Sequence, residues 1–282
     1  MSPIHDQSYR RYQGSRQPAG HAWRVIAGAG IRAMLAKRAY VFLLILSLIP
    51  FVVNAVRIYF AVNFPSQAGT IFGVNPHMFR SFLDQQSVFV FFMSVWAGAG
   101  LIANDRRANA LQIYLAKPLT RTEYILGKLS VLLAFLLSVT LVPGLLLLIM
   151  QVAFSGSFAF LTQNAHLVPA VILSSLLTVL VSATTMLALS SLSKSSRYAA
   201  LLFTGTIFFT KALAGALQGI TGTSRMAWLS VTQNLEQVTD VIFRETPRYE
   251  TPWLVSLLVL VGLVVLSVSV LERRVRGVEV VQ

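Results

Sequence analysis

Residues 129–193 read LSVLLAFLLSVTLVPGLLLLIMQVAFSGSFAFLTQNAHLVPAVILSSLLTVLVSATTMLALSSLS, with no Lys, Arg, Asp or Glu between Lys128 and Lys194. A helix that crosses a hydrocarbon core of about 30 Å needs roughly 20 mainly apolar residues, so this stretch is too long for one crossing. It divides at a polar, turn-rich piece that runs from Ser155-Gly156-Ser157 to Gln163-Asn164-Ala165-His166, which leaves spans at 129–153 and 167–190. Working outward with the same criterion finds further spans at 39–62, 86–103, 198–219 and 252–271. The expected fold is an all-α membrane protein with six transmembrane helices.

Composition agrees. The chain is 55% hydrophobic and 12% charged, against roughly 25% charged residues in an ordinary soluble domain. With no cysteine, disulfides, thiolate metal sites and cysteine nucleophiles are excluded. The formal charge of +13 would raise the question of nucleic acid in a soluble protein. Here its distribution is what matters, because positively charged short connections stay on the cytosolic side. Arg10, Arg11, Arg16, Arg24, Arg32, Lys37 and Arg38 precede the first span. Arg106, Arg107, Lys117, Arg121 and Lys128 join the second to the third, Lys194 and Arg197 the fourth to the fifth, and Arg273, Arg274 and Arg276 follow the sixth. The opposite side holds only Arg80, Arg225, Arg244 and Arg248, while Arg57 and Lys211 fall within or at the edge of spans.

Both termini are therefore expected in the cytosol, in a multi-pass protein of the cell membrane. The basic excess reads as topology plus attraction to anionic membrane lipids, and no nucleic-acid partner is expected. Polar and basic residues fill the chain ahead of the first span, so no signal peptide is expected. The organisation is a cytosolic segment 1–38, a six-span domain 39–271 with a cytosolic connection at 104–128, and a cytosolic tail 272–282. Within the first segment Trp23, Ile26, Ala27, Gly30 and Met34 share one helical face, which predicts an amphipathic helix along the cytosolic interface. Between the fifth and sixth spans, Val231, Leu235, Val238 and Ile242 recur at helical spacing and predict an external amphipathic helix.

The connection 104–128, NDRRANALQIYLAKPLTRTEYILGK, reads as helix, break, helix. Asn104 or Asp105 is placed to cap a first helix whose Ala108, Leu111 and Leu115 form an apolar stripe. Pro118 ends it, because the residue before a proline is pushed out of the helical region. A second helix opens with Thr120 as cap and Glu123 three residues on, a capping box, with Leu119 and Tyr124 spaced as a hydrophobic staple. The pattern describes a short amphipathic helix held between two spans, suited to receive a push from a partner protein. Taken singly, Arg106, Arg107 and Arg121 also read as plain topology charge.

Asp105, Arg106, Leu111, Leu115, Pro118, Thr120, Arg121, Glu123, Gly127 and Lys128 together resemble the segment after the second span in ABC-2 type permeases, the membrane subunits of ATP-binding-cassette exporters. Asp105 stands where glutamate is usual, Asn109 where glycine is common and Gln112 where a second acid often stands. The resemblance implies a coupling helix at about 105–116, Arg107 included, that docks into a cleft of a cytosolic ATPase dimer, with the interfacial helix near 23–35 beside it. It also implies a second permease subunit, identical or homologous, and a central path between the two. ATP and Mg would bind the partner ATPase, and no cofactor is expected on this chain.

No ATPase is encoded in these residues. Gly127-Lys128 lacks the earlier glycine of a phosphate-binding loop, and Leu129 follows where Ser or Thr would hold magnesium. A membrane enzyme would need a nucleophile or acid–base pair, and there is no Gly-x-Ser-x-Gly or His-Glu-x-x-His. His77, Asp84 and His166 read as ordinary external loop polarity. The nearer alternative is an ion-coupled carrier or channel, for which Lys211 and the mid-span Pro50 and Pro143 are the only hints. Lys211 reads either as a side chain reaching the outer headgroups or as a lining of the path with Gly215 and Gly219. Those two glycines, like Ala97-Gly98-Ala99-Gly100, predict close helix packing.

Overall fold

The computed structural model describes residues 21–64, 73–110 and 120–275. Helix α1 (Ala22–Leu35) comes first, followed by α2 (Arg38–Leu46) and α3 (Ile49–Asn63), which together make the first span. The two halves meet at Ser47 and Leu48, just before Pro50, whose missing N–H is tolerated in the first turn of α3. Helix α4 (Pro76–Met93) runs through a π turn at Ser94–Gly98 into α5 (Ala99–Arg107) as the second span. The third span is α6 (Arg121–Val139) with α7 (Leu141–Ser155), followed by the short α8 (Ala159–Gln163). Helices α9 (Leu167–Leu192) and α10 (Ser196–Thr221) are the fourth and fifth spans, α11 (Val231–Ile242) lies between the fifth and sixth, and α12 (Trp253–Arg274) is the sixth. All six predicted spans are present among the described residues, and those residues form no strand.

The fourth span is the centre of the bundle. It is apolar all round, as a membrane span is, and it packs against the second, third, fifth and sixth spans. Ser174, Ser175, Ala183, Ser190 and Ser191 are buried along it, and such small residues let helix backbones approach closely. Gly98 of the second span needs its missing side chain: a Cβ there would lie 2.5 Å from the Met186 side chain. The fifth span is the reverse. Only 11% of its most apolar stretch is buried within the chain, against 50% for the fourth.

Three sequence expectations change. The second span starts at Pro76, well before residue 86, because Asn75 caps it by accepting from the Met78 N–H at 3.0 Å and Pro76 follows as the first helical residue. His77, Arg80 and Asp84 are therefore helical residues rather than loop polarity. Asn104 and Asp105 do not cap a new helix, since α5 runs through both to Arg107. Gly215 and Gly219 do not pack closely within the chain: nothing lies within 4 Å of a Cβ built on either.

Candidate functional site

The two ends of the connection 104–128 are tied to each other. The Lys128 ammonium lies 2.7 Å from the Asp105 carboxylate, and the same Asp105 oxygen accepts from the Tyr124 hydroxyl at 2.8 Å. Lys128 also stands over the Tyr124 ring, 5.5 Å from its centroid. Tyr124 is fully buried, so the hydroxyl that reaches Asp105 is fixed by packing. On the entry side of α6 the predicted capping box is complete. The Thr120 side chain accepts from the Glu123 N–H at 3.2 Å, and the Glu123 carboxylate accepts from the Thr120 N–H at 3.0 Å. These bonds satisfy donors that the first turn of a helix otherwise leaves orphaned.

The end of α5 is held from the other side by the fourth span. The Ser190 hydroxyl accepts from the Ile102 and Ala103 N–H groups at 3.2 and 3.1 Å and donates to the Ala99 carbonyl at 2.8 Å. Arg106 donates to the Ser191 carbonyl. Helix α1 completes the assembly by lying across α6. A Cβ on Gly127 would come within 2.8 Å of Ile26 and 3.1 Å of the Trp23 carbonyl, and one on Gly30 within 2.6 Å of Val131. The face predicted from Trp23, Ile26, Ala27, Gly30 and Met34 is thus the one α1 packs on the third span, with Ala27 and Met34 buried. Gly127 and Lys128 sit inside a helix, so they cannot form a loop around phosphate.

At the opposite end of the bundle a second cluster surrounds Arg80, which is 1% exposed. Its guanidinium lies 2.7 Å from Asp240 on α11 and also pairs with Asp84 one turn along α4. Arg248 closes the ring, 2.5 Å from Asp84 and 3.2 Å from Asp240. Burial pushes the Asp240 carboxyl up, while Arg80 and Arg248 pull it down; the net direction is upward. The cluster therefore fixes α11 in place at a desolvation cost rather than adding plain stability. Tyr249 donates its hydroxyl to Glu236, and burial, then that carboxylate, raises the phenol above its ordinary range. The apolar face of α11 does what its spacing predicts: Val231 and Val238 pack with Val181 and Leu260 of the fourth and sixth spans.

Between these elements lies a cavity of about 100 Å³, lined by Arg80, Asp84, Ser174, Ser175, Lys211 and Glu236. The Ser174 and Ser175 hydroxyls are buried without a hydrogen-bond partner among the described residues. Lys211 lines this cavity, whereas Gly215 and Gly219 do not.

The predicted site residues thus separate into groups. Asp105 joins Tyr124 and Lys128, Arg106 reaches the fourth span, and Thr120 and Glu123 pair with each other, while Arg107 and Arg121 are exposed. Leu111, Leu115 and Pro118 lie outside the described residues, as does Leu119 of the expected staple. Sequence reading missed the Tyr124–Asp105 bond, the Ser190 bridge and the Arg80 cluster. Of these, only Arg80 and Asp84, four residues apart and of opposite charge, carried a local signal.

A family model described as ABC-2 family transporter protein matches residues 24–274. No curated protein matches the chain.

Proposed function

Because the chain belongs to the ABC-2 family transporter proteins and is a multi-pass membrane protein of the transporter-subunit class, we propose that it is the permease of an exporter driven by a separate cytosolic ATPase. The observation that supports this most is the closed base of the connection 104–128, where Lys128 and Tyr124 hold Asp105. A connection tied at its base moves as a lever, so a push on it reaches the second and third spans together, and through Ser190 the fourth. ATP and Mg belong to the ATPase, and Leu111 and Leu115 are the apolar contacts offered to it.

The charge distribution supports cytosolic placement of the face that carries the termini, the connection 104–128 and the start of the fifth span. A second permease copy, identical or homologous, covers the exposed fifth span. Open space beside Gly205, Gly215 and Gly219 suits helix-to-helix approach between copies. Lys211, which lines the cavity beside Arg80, Asp84 and Glu236, then faces the path between the copies and favours an anionic or headgroup-bearing substrate. Replacing Leu111 or Leu115 by Asp tests the reading: membrane insertion should persist while the ATPase is released or uncoupled. Full ATPase association and transport in Leu111→Asp would contradict it.

A further inference from the structure

At the end of the bundle where α1 and the last turns of α12 lie, a cavity of about 500 Å³ opens between α1 and the second, third and fifth spans, a volume in the range of ordinary ligand sites. Three basic residues from three different elements meet there: Lys37 after α1, Lys128 on α6 and Arg197 in the first turn of α10. Lys128 is neutralised by Asp105. Lys37 and Arg197 are exposed, and their side chains make no hydrogen bond or ion pair among the described residues, which leaves two uncompensated cations. The first turn of α10 adds to this field, because Ser195 makes no side-chain cap and the free N–H groups at a helix start attract anions.

The other half of the cavity is apolar. Asn104 and Trp96 both line the cavity; they are eight residues apart on the second span, or about 12 Å along the axis, which separates the tryptophan from the charged residues near Asp105. Val95 and Ala200 line the wall beside Trp96, and Trp96 is 53% exposed to the cavity and the surrounding apolar surface. Small residues, Gly30, Ala33 and Gly100, keep the space open.

We infer that this cavity binds one anionic phospholipid from the leaflet that meets the face of the termini. Its phosphate sits between Lys37 and Arg197 at the start of α10, and an acyl chain lies along Val95, Trp96 and Ala200. Excess positive charge selects an anionic over a zwitterionic headgroup, and the apolar arm selects a lipid over a free phosphate. The inference requires neither the ATPase partner nor any transported substrate. A lipid seated there touches α1 and the second, third and fifth spans at once, next to the Asp105–Lys128 tie.

The test uses the full chain, purified in detergent, stripped of lipid and titrated with phosphatidylglycerol, phosphatidylcholine of the same acyl chains, and inorganic phosphate, with bound lipid read by native mass spectrometry. Phosphatidylglycerol should bind in preference to phosphatidylcholine and resist competition by inorganic phosphate. The double variant Lys37→Gln/Arg197→Gln should bind it about thirtyfold more weakly, the worth of two basic side chains at an anionic surface. Arg273→Gln/Arg274→Gln removes the same charge at the end of the sixth span and should leave binding unchanged. Ala200→Trp fills the apolar arm, keeps both cations and should also lose the lipid. Equal loss in the Arg273/Arg274 variant, equal binding of phosphatidylcholine, displacement by inorganic phosphate, or unchanged binding in Ala200→Trp would each overturn the site.

Discussion

The Asp105 carboxylate lies 2.7 Å from the Lys128 ammonium, so the residue that leaves the second span is bonded to one that enters the third. Both side chains are largely buried, 18% and 13% exposed. The Tyr124 hydroxyl on the same carboxylate oxygen makes the tie a three-membered one. Such groups couple: a double-mutant cycle on Asp105→Ala and Lys128→Ala should give an interaction energy on the order of 1 kcal/mol in unfolding experiments. In the assembled transporter, Asp105→Ala should keep ATP turnover and lower transport. If the two single substitutions proved additive, the tie would carry no energy and the lever reading would fall.

The capping box at Thr120 and Glu123 sets where α6 begins. Thr120→Ala should cost about 1 kcal/mol of local helix stability, visible as faster amide exchange at Glu123 and Tyr124 with no change further along the third span. Unchanged exchange at Glu123 would mean that packing under α1 alone holds this turn.

Arg80 is a different case, because it is buried with two carboxylates around it. Arg80→Met leaves Asp240 buried beside a single cation and should destabilise the protein by about 3–5 kcal/mol. Arg80→Met/Asp240→Leu, which removes both charges, should recover most of that loss. Thermal unfolding in detergent distinguishes the two. A double variant as unstable as the single one would show that shape, and not unpaired charge, is what Arg80 provides.

The six spans are legible in the sequence because each is a long apolar run with at most one charge, Arg57 in the first and Lys211 in the fifth, and the capping box because its partners are three residues apart. The first turns of the second span are not legible, since His77, Arg80 and Asp84 look like loop polarity until their partners are known. Arg80 pairs with a residue 160 positions away, and no local pattern carries that. The expected cap at Asn104 fails for a related reason. Ser190, from the fourth span, satisfies backbone groups of α5 and helps the helix run on past Asn104. For Gly215 and Gly219 the sequence indicates a close neighbour, and none lies among the described residues.

Orientation is open to direct labelling. A cysteine at Asn109 or Lys194 should react from the cytosolic side, and one at Gln163 or Glu250 from the outside. Glu250 is preferred to positions on α11 such as Gln237, which is buried and donates to the Tyr249 and Thr251 carbonyls at 2.9 and 2.7 Å. Asn109 and Glu250 reacting from the same side would break the alternation of spans.

ATP turnover by the reconstituted chain, measured alone and with the proposed cytosolic ATPase, decides whether the chain is a permease driven by a separate subunit. The chain alone should turn over no ATP. With the ATPase present, turnover should exceed that of the free ATPase, and Leu111→Asp should abolish the difference while inserting normally. ATP hydrolysis by the chain alone, or full stimulation by Leu111→Asp, would contradict it.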